Sequence, residues 1–382
     1  MIVGPLLFGA GVAFGSLDPG AGIDDAARAA AQTGSSRART PSTSSATRPS
    51  SAGTESAAPV AGTPGFAGIV AAARDGVVGV RTIHRPAVGA PDATHDEGLS
   101  RGTGFLLHSG GIVVTAHHVV ADPHSIIVEL PGFGPRQAEL IGEDPPTDVA
   151  VLRILDPPED LPSLQLGRSE DVQQGDWVVT IGNPLRLRQT VGAGVVGFVG
   201  RHLDADEYGI TNEHLQFGAP AYPGSSGSPV LDMQGTVVGM TTRSAVGGDG
   251  FAFAVTARVI RNVLASMARN SGRVRRAFLG AGVELVHGGP RLGQHPCAEG
   301  LAVELTAVLE GRAADRAGLR CGDVIVRVGG QPIESLGDFY DTLTWAEPGS
   351  AVELLVARGF DPPRPITVEL GELDRLPSDL TQ

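Results

Sequence analysis

Three short segments carry the side chains that a serine nucleophile needs. They are TAHHVV at 115–120, TDVAVL at 147–152 and GSSGSP at 224–229. A serine hydroxyl is a poor nucleophile at neutral pH, so it requires an imidazole to accept its proton and a buried carboxylate to hold that imidazole in one tautomer. His118, Asp148 and Ser226 supply these three groups, and the segments therefore predict a Ser-His-Asp catalytic triad.

Each segment taken alone has a simpler interpretation. A run of glycine and serine is usually a turn, a histidine beside His117 can be a packed interior residue, and Asp148 follows two prolines as a turn residue would. Their joint occurrence in one chain favours catalysis over coincidence. His108, His117 and His214 are interpreted as neighbours without a catalytic role.

The length and composition limit the classes of function. A chain of 382 residues is too long to fold around one ordinary hydrophobic core, so its length predicts about two domains with tails. The formal net charge of -13 opposes general binding to nucleic acid, because the phosphate groups attract basic residues and repel acidic ones. Cys297 and Cys321 either pair in an oxidising compartment or remain two thiols. The sequence contains no metal-ligand spacing, and neither a metal nor a cofactor is expected.

The N-terminal region differs in composition from the rest. Residues 1–17 are uncharged and largely apolar, near the lower limit of a membrane span at roughly 17 to 25 residues. We predict a signal-anchor over 1–18, with a disordered apolar leader as the alternative, because no basic residue precedes this stretch as in a secretory signal. Residues 19–64 are rich in Ser, Thr, Pro and Ala and predict a disordered linker.

The pattern from residue 66 onward is typical of a protein made mostly of strands. A short helical pattern and the strand-like VVGVRT come first. Short β-rich runs then alternate with turns as far as residue 255 and predict an antiparallel barrel or sandwich, followed by a helix over 257–268. A second pattern over 278–373 has four further strands and helical pieces near 312–317 and 336–345.

The segments around the three chemical residues resemble the HtrA/DegP family of trypsin-like serine proteases. PGSSGSPVLDMQGTVVGM is similar to the family's PGNSGGPLLNLDGEVIGI, and GDWVVTIGNPLRLRQTVGAGVVG resembles its GDWVLAIGNPFGL...TVTAGIVS. TAHHVV and TDVAVLRI resemble the family's histidine and aspartate segments. The resemblance covers roughly 66–267 and implies a trypsin-like double β-barrel, which we expect over 65–270.

The resemblance also implies a role for each residue. Ser226 would be the nucleophile, His118 the general base and then acid, and Asp148 the orienting carboxylate. The backbone N–H groups of Gly224 and Ser226 would form the oxyanion hole, because a tight turn must aim two amides at the point where negative charge develops.

Several positions depart from the family's pattern. Ser225 replaces the usual Asn, Ser228 replaces a Gly, and the approach to the serine reads QFGAPAYP. In the family this approach forms the wall of the primary specificity pocket, which here includes Pro220 and Tyr222. The segment offers no buried acid to select Arg or Lys, so the sequence predicts cleavage after uncharged residues.

The C-terminal region resembles a PDZ domain, an α+β fold, expected over 271–374 with a tail at 375–382. RAFLGAGVEL and GRAADRAGLRCGDVIVRVGGQPIESLGDF carry the resemblance. A PDZ domain binds an extended C-terminal peptide by strand addition, and loop amides capture the terminal carboxylate. By this resemblance the amides of Leu279, Gly280 and Ala281 hold the carboxylate, while Phe339 and Leu343 either line the apolar side-chain pocket or belong to the core.

Together these features imply a serine endopeptidase that hydrolyses unfolded or regulatory proteins outside the cytoplasm, in the periplasm or cell envelope. The family resemblance implies a homotrimer formed through residues 66–80. The alternatives are a catalytically weak PDZ scaffold or holdase of the cell envelope, and a module that binds cell-envelope polymers.

Overall fold

A computed structural model describes residues 65–84, 99–183, 189–202, 213–244, 250–287, 301–333, 335–359 and 361–373. The predicted anchor over 1–18, the linker over 19–64, Cys297 and the tail over 375–382 lie outside these residues. Within them, no helix is both long enough and apolar enough to cross a bilayer. The α-helices are α1 Phe66–Ala73, α2 His117–Val120, α3 Ala257–Arg269, α4 Ala313–Arg316 and α5 Leu336–Thr344.

The first six strands close into an antiparallel barrel with the order β1-β2-β3-β6-β5-β4. They are β1 Val77–His84, β2 Leu99–His108, β3 Ile112–Ala116, β4 Pro123–Leu130, β5 Gly134–Asp144 and β6 Val149–Ile154. β3 and β6 read IVVTA and VAVLRI, and most of their side chains are buried. This barrel therefore has an interior of branched aliphatic side chains, which suits short twisted strands.

The next six strands close into a second barrel with the order β10-β11-β12-β9-β8-β7. They are β7 Trp177–Gly182, β8 Thr190–His202, β9 Glu213–Phe217, β10 Pro229–Leu231, β11 Val237–Ser244 and β12 Ala252–Thr256. Thr256 ends β12 and caps α3, because its side chain accepts a hydrogen bond from Val259 N. The predicted fold class, mostly β with a double barrel, is confirmed.

The C-terminal strands form a separate sheet with its own core. They are β13 Ala277–Phe278, β14 Ala281–His287, β15 Leu301–Val308, β16 Val324–Val328, β17 Gln331–Pro332, β18 Ala351–Ala357, β19 Arg364–Glu369 and β20 Gly371–Glu372. The main path runs β14-β15-β16-β18-β19, β17 pairs with β16, and β13 pairs with β20. β14 therefore lies at an edge of the main sheet, where its outer backbone groups can pair with another strand.

The sequence pattern missed two strands of the barrels. β5 reads GPRQAELIGED and β9 reads EHLQF, so polar and charged residues interrupt the apolar alternation. The predicted strand GIVVTAHHVV is also too long, since β3 ends at Ala116 and α2 follows. The two strands were missed because a barrel strand keeps its ladder through neighbouring strands even where its own side chains are polar.

A buried ion pair joins the first barrel to the C-terminal sheet. Arg276 Nη1 lies 2.7 Å from Asp144 Oδ1, and Nη2 binds Oδ2. The two side chains are only 5% and 3% exposed. The ring of Trp345 lies 5.0 Å from the guanidinium carbon, and Thr147 Oγ1 donates to Asp144 Oδ2. Trp345 after α5, Arg276, Asp144 and Thr147 therefore form one continuous set of contacts that reaches the turn before Asp148.

Replacing Arg276 by Met should destabilise the protein by about 3–5 kcal/mol, because Asp144 would keep a buried charge without a partner. Thermal or urea unfolding of the full chain would measure the loss. Arg275→Met is the matched control, since Arg275 and Glu372 form an exposed pair that solvent screens, and its loss of stability should be much smaller. Equal losses for the two variants would contradict the importance of the buried pair.

Candidate functional site

Strand pairing brings His118 and Asp148 together. β3 and β6 are neighbours, and their last and first residues, Ala116 and Val149, are directly paired. The residues that follow β3 and precede β6 must therefore lie side by side. The N–H of His117 donates to Asp148 O at 3.0 Å and fixes this register. Asp148 has a φ of 56°, a left-handed conformation that Asp tolerates better than most residues.

The Asp148 carboxylate is the acceptor for three donors. His118 Nδ1 lies 2.9 Å from both carboxylate oxygens, and the backbone N–H of His118 donates to Oδ1 at 3.0 Å. Thr242 Oγ1, from β11 of the second barrel, donates to Oδ2. The Asp148 side chain is 16% exposed, whereas that of His118 is 50% exposed. The imidazole is thus oriented by a largely buried carboxylate and still faces solvent.

The protonation of this pair follows from its surroundings. Burial alone would lower the pKa of His118, but the hydrogen bond and charge of Asp148 outweigh both burial and the charge of Arg243, so the pKa lies above 6.5. Burial would raise the pKa of Asp148, but hydrogen bonds from His118 and Thr242 and the His118 charge lower it overall. Asp148 therefore stays ionised in the pH range where His118 changes charge.

The turn that carries Ser226 contains two glycines in the left-handed region. Gly224 has a φ of 98° and Gly227 one of 87°, conformations that favour glycine. The N–H of Ser225 donates to Tyr222 O at 2.8 Å and closes the turn. Among the described residues, the N–H groups of Gly224 and Ser226 donate to no other group. These are the two amides that the sequence predicted for an oxyanion hole.

Ser226 lies in the same site but its hydroxyl has a different partner. Ser226 Oγ donates to Thr242 O at 3.3 Å, and the described residues show no hydrogen bond between Oγ and the His118 ring. Thr242 therefore contacts both the Asp148 carboxylate, through its hydroxyl, and the Ser226 hydroxyl, through its carbonyl. Hydrogen bonds between a catalytic serine and its base often form or tighten only with substrate bound.

Two site residues were missed by the sequence analysis. Thr242 holds Asp148, and Thr103 in β2 holds the serine turn through its N–H to Ser226 O, 2.8 Å, and its hydroxyl to Gly224 O, 2.7 Å. Both are threonines with buried side chains. That pattern, a buried hydroxyl that needs a partner, is the signal that could have identified them.

A cavity of about 230 Å³ lies behind the serine turn. It is bordered by Ser225 and Ser228 and by Pro220 and Tyr222, the two residues that the sequence analysis placed in the specificity pocket. No charged side chain occurs among its described lining residues. The cavity can therefore hold an uncharged group and offers no partner for a basic one.

The predicted peptide-binding residues of the C-terminal domain fall into two groups. Gly280 has a φ of 76°, and an added Cβ would lie 2.3 Å from Arg312 Cβ, so the loop requires glycine. Leu279 precedes it, and Ala281 begins the edge strand β14. Phe339 and Leu343, only 1% and 4% exposed, lie in the domain core. The loop is near the open edge, whereas the pocket role of Phe339 and Leu343 stays a prediction.

Comparison with known proteins gives the same two-part organisation. A family described as "Trypsin-like peptidase domain" matches residues 102–240, and one described as "PDZ domain" matches 304–358. The chain is 34% identical over 277 residues to a "Probable periplasmic serine endoprotease DegP-like" of Ectopseudomonas mendocina, covering 70% of this chain and 56% of that protein. A protein of the same name from Chlamydia muridarum is 35% identical over 265 residues, covering 68% and 51%. The chain spans about half the length of these relatives.

Solved structures show the same likeness. "HtrA-type protease AlgW with tripeptide" superimposes with a TM-score of 0.69 at 29% identity, covering 83% of this chain and 99% of that one. A serine endoprotease from Yersinia pestis gives a TM-score of 0.59 at 26% identity, covering 80% and 97%.

Replacing Asp148 by Asn should lower the pKa of His118, because the hydrogen bond and charge of the carboxylate raise it. NMR titration of the His118 ring should give a midpoint above 6.5 in the unmodified protein and a lower one in the variant. The neutral imidazole, which is the basic form, would then dominate at lower pH.

Glu143→Gln is the control for this titration, since Glu143 contacts the neighbouring His117 at 3.2 Å rather than His118. It should leave the His118 midpoint where it is. A His118 midpoint that is the same with Asp148 and with Asn at that position would contradict the stated cause of the shift.

Proposed function

Because the chain belongs to the HtrA/DegP-like family of trypsin-fold proteases with one C-terminal PDZ domain, we propose that it is a serine endopeptidase that uses Ser226, His118 and Asp148. The observation that carries this proposal is the single hydrogen-bonded cluster in which Thr242 links the His118–Asp148 pair to Ser226. The chemistry is peptide-bond hydrolysis through a covalent acyl intermediate.

In the proposed reaction, Ser226 Oγ turns from Thr242 O toward His118 Nε2 and attacks the substrate carbonyl. His118 accepts the hydroxyl proton and then passes it to the leaving amine. Asp148, bonded to Nδ1 at 2.9 Å, holds the ring with Nε2 free and stabilises the imidazolium. The amides of Gly224 and Ser226 stabilise the oxyanion, and a single such donor is worth on the order of 100-fold or more in rate.

The uncharged cavity bordered by Pro220 and Tyr222 supports a preference for uncharged side chains before the scissile bond. Its volume of about 230 Å³ is sufficient for one side chain. Unfolded or regulatory proteins are the proposed substrates, since an extended segment must reach a nucleophile that lies between two barrels.

The C-terminal domain is proposed to bind the C-terminus of a peptide. β14 is an edge strand, which supports addition of an extended peptide. The preceding loop, with its left-handed Gly280, can turn amides toward a carboxylate. The carbonyls of Leu279 and Gly280 already accept bonds from Ala314 N and Leu309 N, which fixes the loop.

We also propose an extracytoplasmic protein that forms a homotrimer through its N-terminal segment. The location is supported by the word periplasmic in the names of the relatives. Assembly is supported by Phe66 and Trp177, whose rings lie 5.6 Å apart and remain 37% and 51% exposed. Light scattering would measure the molar mass in solution, and a monomer alone would contradict the proposed trimer.

Covalent labelling by a fluorophosphonate probe tests the proposed activity without assuming a cleavage sequence. The full chain should be labelled, at a rate that rises with pH as His118 loses its proton. Ser226→Ala should abolish labelling, while Ser225→Ala should retain it. No labelling of the folded protein, with or without an apolar C-terminal peptide, would instead favour the scaffold or holdase alternative.

Isothermal titration with apolar peptides tests the proposed carboxylate site. A free C-terminal acid should bind more tightly than the same peptide as an amide, by tenfold or more if one charge-assisted contact of about 1.5–3 kcal/mol is lost. Equal affinities would remove the carboxylate role of the Leu279–Ala281 loop but would leave the catalytic proposal intact.

A further inference from the structure

The peptide group that joins Gly224 to Ser225 lies between the two amides proposed for the oxyanion hole. Its N–H donates to Tyr222 O at 2.8 Å, and its carbonyl oxygen, Gly224 O, accepts from Thr103 Oγ1 at 2.7 Å. The amides of Gly224 and Ser226 belong to the peptide groups on either side, so their directions change if this central peptide group rotates. Such a rotation would break both hydrogen bonds.

The Thr103 hydroxyl is directed at Gly224 O because another residue occupies its acceptor side. A hydroxyl has one proton to donate and two lone pairs that accept. The backbone N–H of Asn183 donates to Thr103 Oγ1 at 2.9 Å, so the hydroxyl proton remains available for Gly224 O. Thr103 is 0% exposed, and bulk water therefore does not compete for this proton.

Asn183 follows β7 and is held by Gln189, which precedes β8. Asn183 Oδ1 accepts from the backbone N–H of Gln189 at 2.9 Å. Gln189 has a φ of 54°, a left-handed conformation that costs energy for a residue other than glycine and persists only where its surroundings hold it. The side-chain oxygen of Asn183 therefore joins the two ends of the connection between β7 and β8.

The side chain of Gln189 continues the series to the N-terminal segment. Arg74, in the turn between α1 and β1, donates from Nε and Nη2 to Gln189 Oε1 at 3.1 and 2.7 Å. Gln189 Nε2 donates back to Arg74 O at 2.9 Å. Only one orientation of the amide oxygen and nitrogen permits all three hydrogen bonds, so the position of Gln189 is fixed from both its backbone and its side chain.

We infer that Thr103, Asn183 and Gln189 are positioning residues for the oxyanion hole. The inference rests on the proposed endopeptidase function. From Gln189 to Gly224 O, the three hydrogen bonds of this series measure 2.9, 2.9 and 2.7 Å. The series acts on the reaction through the direction of the two amides, not through contact with the substrate, so it affects the transition state more than substrate binding.

The cleavage kinetics of Thr103 variants test this role, with a quenched-fluorescent peptide that carries an uncharged residue before the scissile bond. Thr103→Val removes the hydroxyl at nearly constant volume. It should lower kcat by about tenfold or more, a smaller loss than that of a whole oxyanion donor, about 100-fold or more. KM should stay nearly the same, because an interaction made mainly in the transition state is lost. Thr103→Ser keeps the hydroxyl and should retain most of the rate.

Thr82→Val is the matched control for Thr103→Val. Thr82 lies in the neighbouring strand β1, is 0% exposed, and its hydroxyl has no hydrogen-bond partner within the described part of the chain. Its replacement should leave kcat unchanged. If Thr103→Val folds, as measured by thermal unfolding, and cleaves with the kcat of the unmodified protein, the inference is overturned while cleavage itself upholds the endopeptidase proposal.

Gln189→Leu tests whether the effect passes along the series. It should lower kcat by about two- to tenfold, the equivalent of one ordinary hydrogen bond. Gln189→Glu keeps an oxygen that accepts from Arg74 and should lose less. A larger loss of kcat in Gln189→Leu than in Thr103→Val would overturn the stated order of the series.

Amide NMR of the full chain distinguishes a failed inference from an inactive enzyme. Gln189 is two residues of the series away from Gly224, so a shift of the Gly224 and Ser226 amide signals in Gln189→Leu would report transmission. Thr82→Val should leave both signals in place. Unchanged signals in Gln189→Leu would overturn the inference even if no peptide were cleaved. Shifted signals in a protein that the fluorophosphonate probe does not label would contradict the endopeptidase proposal alone.

Discussion

The geometry of the candidate site depends on one largely buried carboxylate that accepts hydrogen bonds from both barrels. Asp148 lies in the first barrel, at the start of β6, and accepts hydrogen bonds from His118 of that barrel. Its third donor, Thr242, belongs to β11 of the second barrel. A largely buried carboxylate is stable only when its oxygens accept hydrogen bonds. Because one of the donors comes from the second barrel, the position of Asp148 depends on contact between the two barrels.

The same requirement explains the position of Ser226, the proposed nucleophile. Ser226 belongs to the second barrel, but its carbonyl is held by Thr103 of the first barrel, and its hydroxyl contacts the carbonyl of Thr242. Hydrogen bonds of Thr103 and Thr242 therefore hold Ser226 and Asp148 in position, although these residues are far apart in sequence. The barrels are the rigid parts, and the candidate site lies at the interface between them.

The grouping of His118, Asp148 and Ser226 in one site could be predicted because their types and order are restrictive. A proton acceptor, an orienting carboxylate and a serine in a glycine turn form a combination that few other structures require. The polar strands β5 and β9 could not be predicted, because their place in the ladder is set by neighbouring strands rather than by their own alternation. Thr242 was missed for a related reason, since a hydroxyl in a buried strand indicates that a partner is needed but does not indicate which residue it is. The pairing of Arg276 with Asp144, 132 residues away, likewise depends on how two domains meet.

The Arg276–Asp144 pair limits which C-terminal domains could replace the one present in this chain. Asp144 lies four residues before Asp148, and its counter-ion comes from the segment that leads into the C-terminal sheet. The two-barrel portion cut off before Arg276 would retain the buried Asp144 carboxylate without its cation, next to the turn that positions Asp148. Exchange of the C-terminal domain for another would succeed only if the incoming segment placed an arginine opposite Asp144 and an aromatic ring against that arginine. The junction is therefore part of the folded structure rather than a spacer between two independent modules.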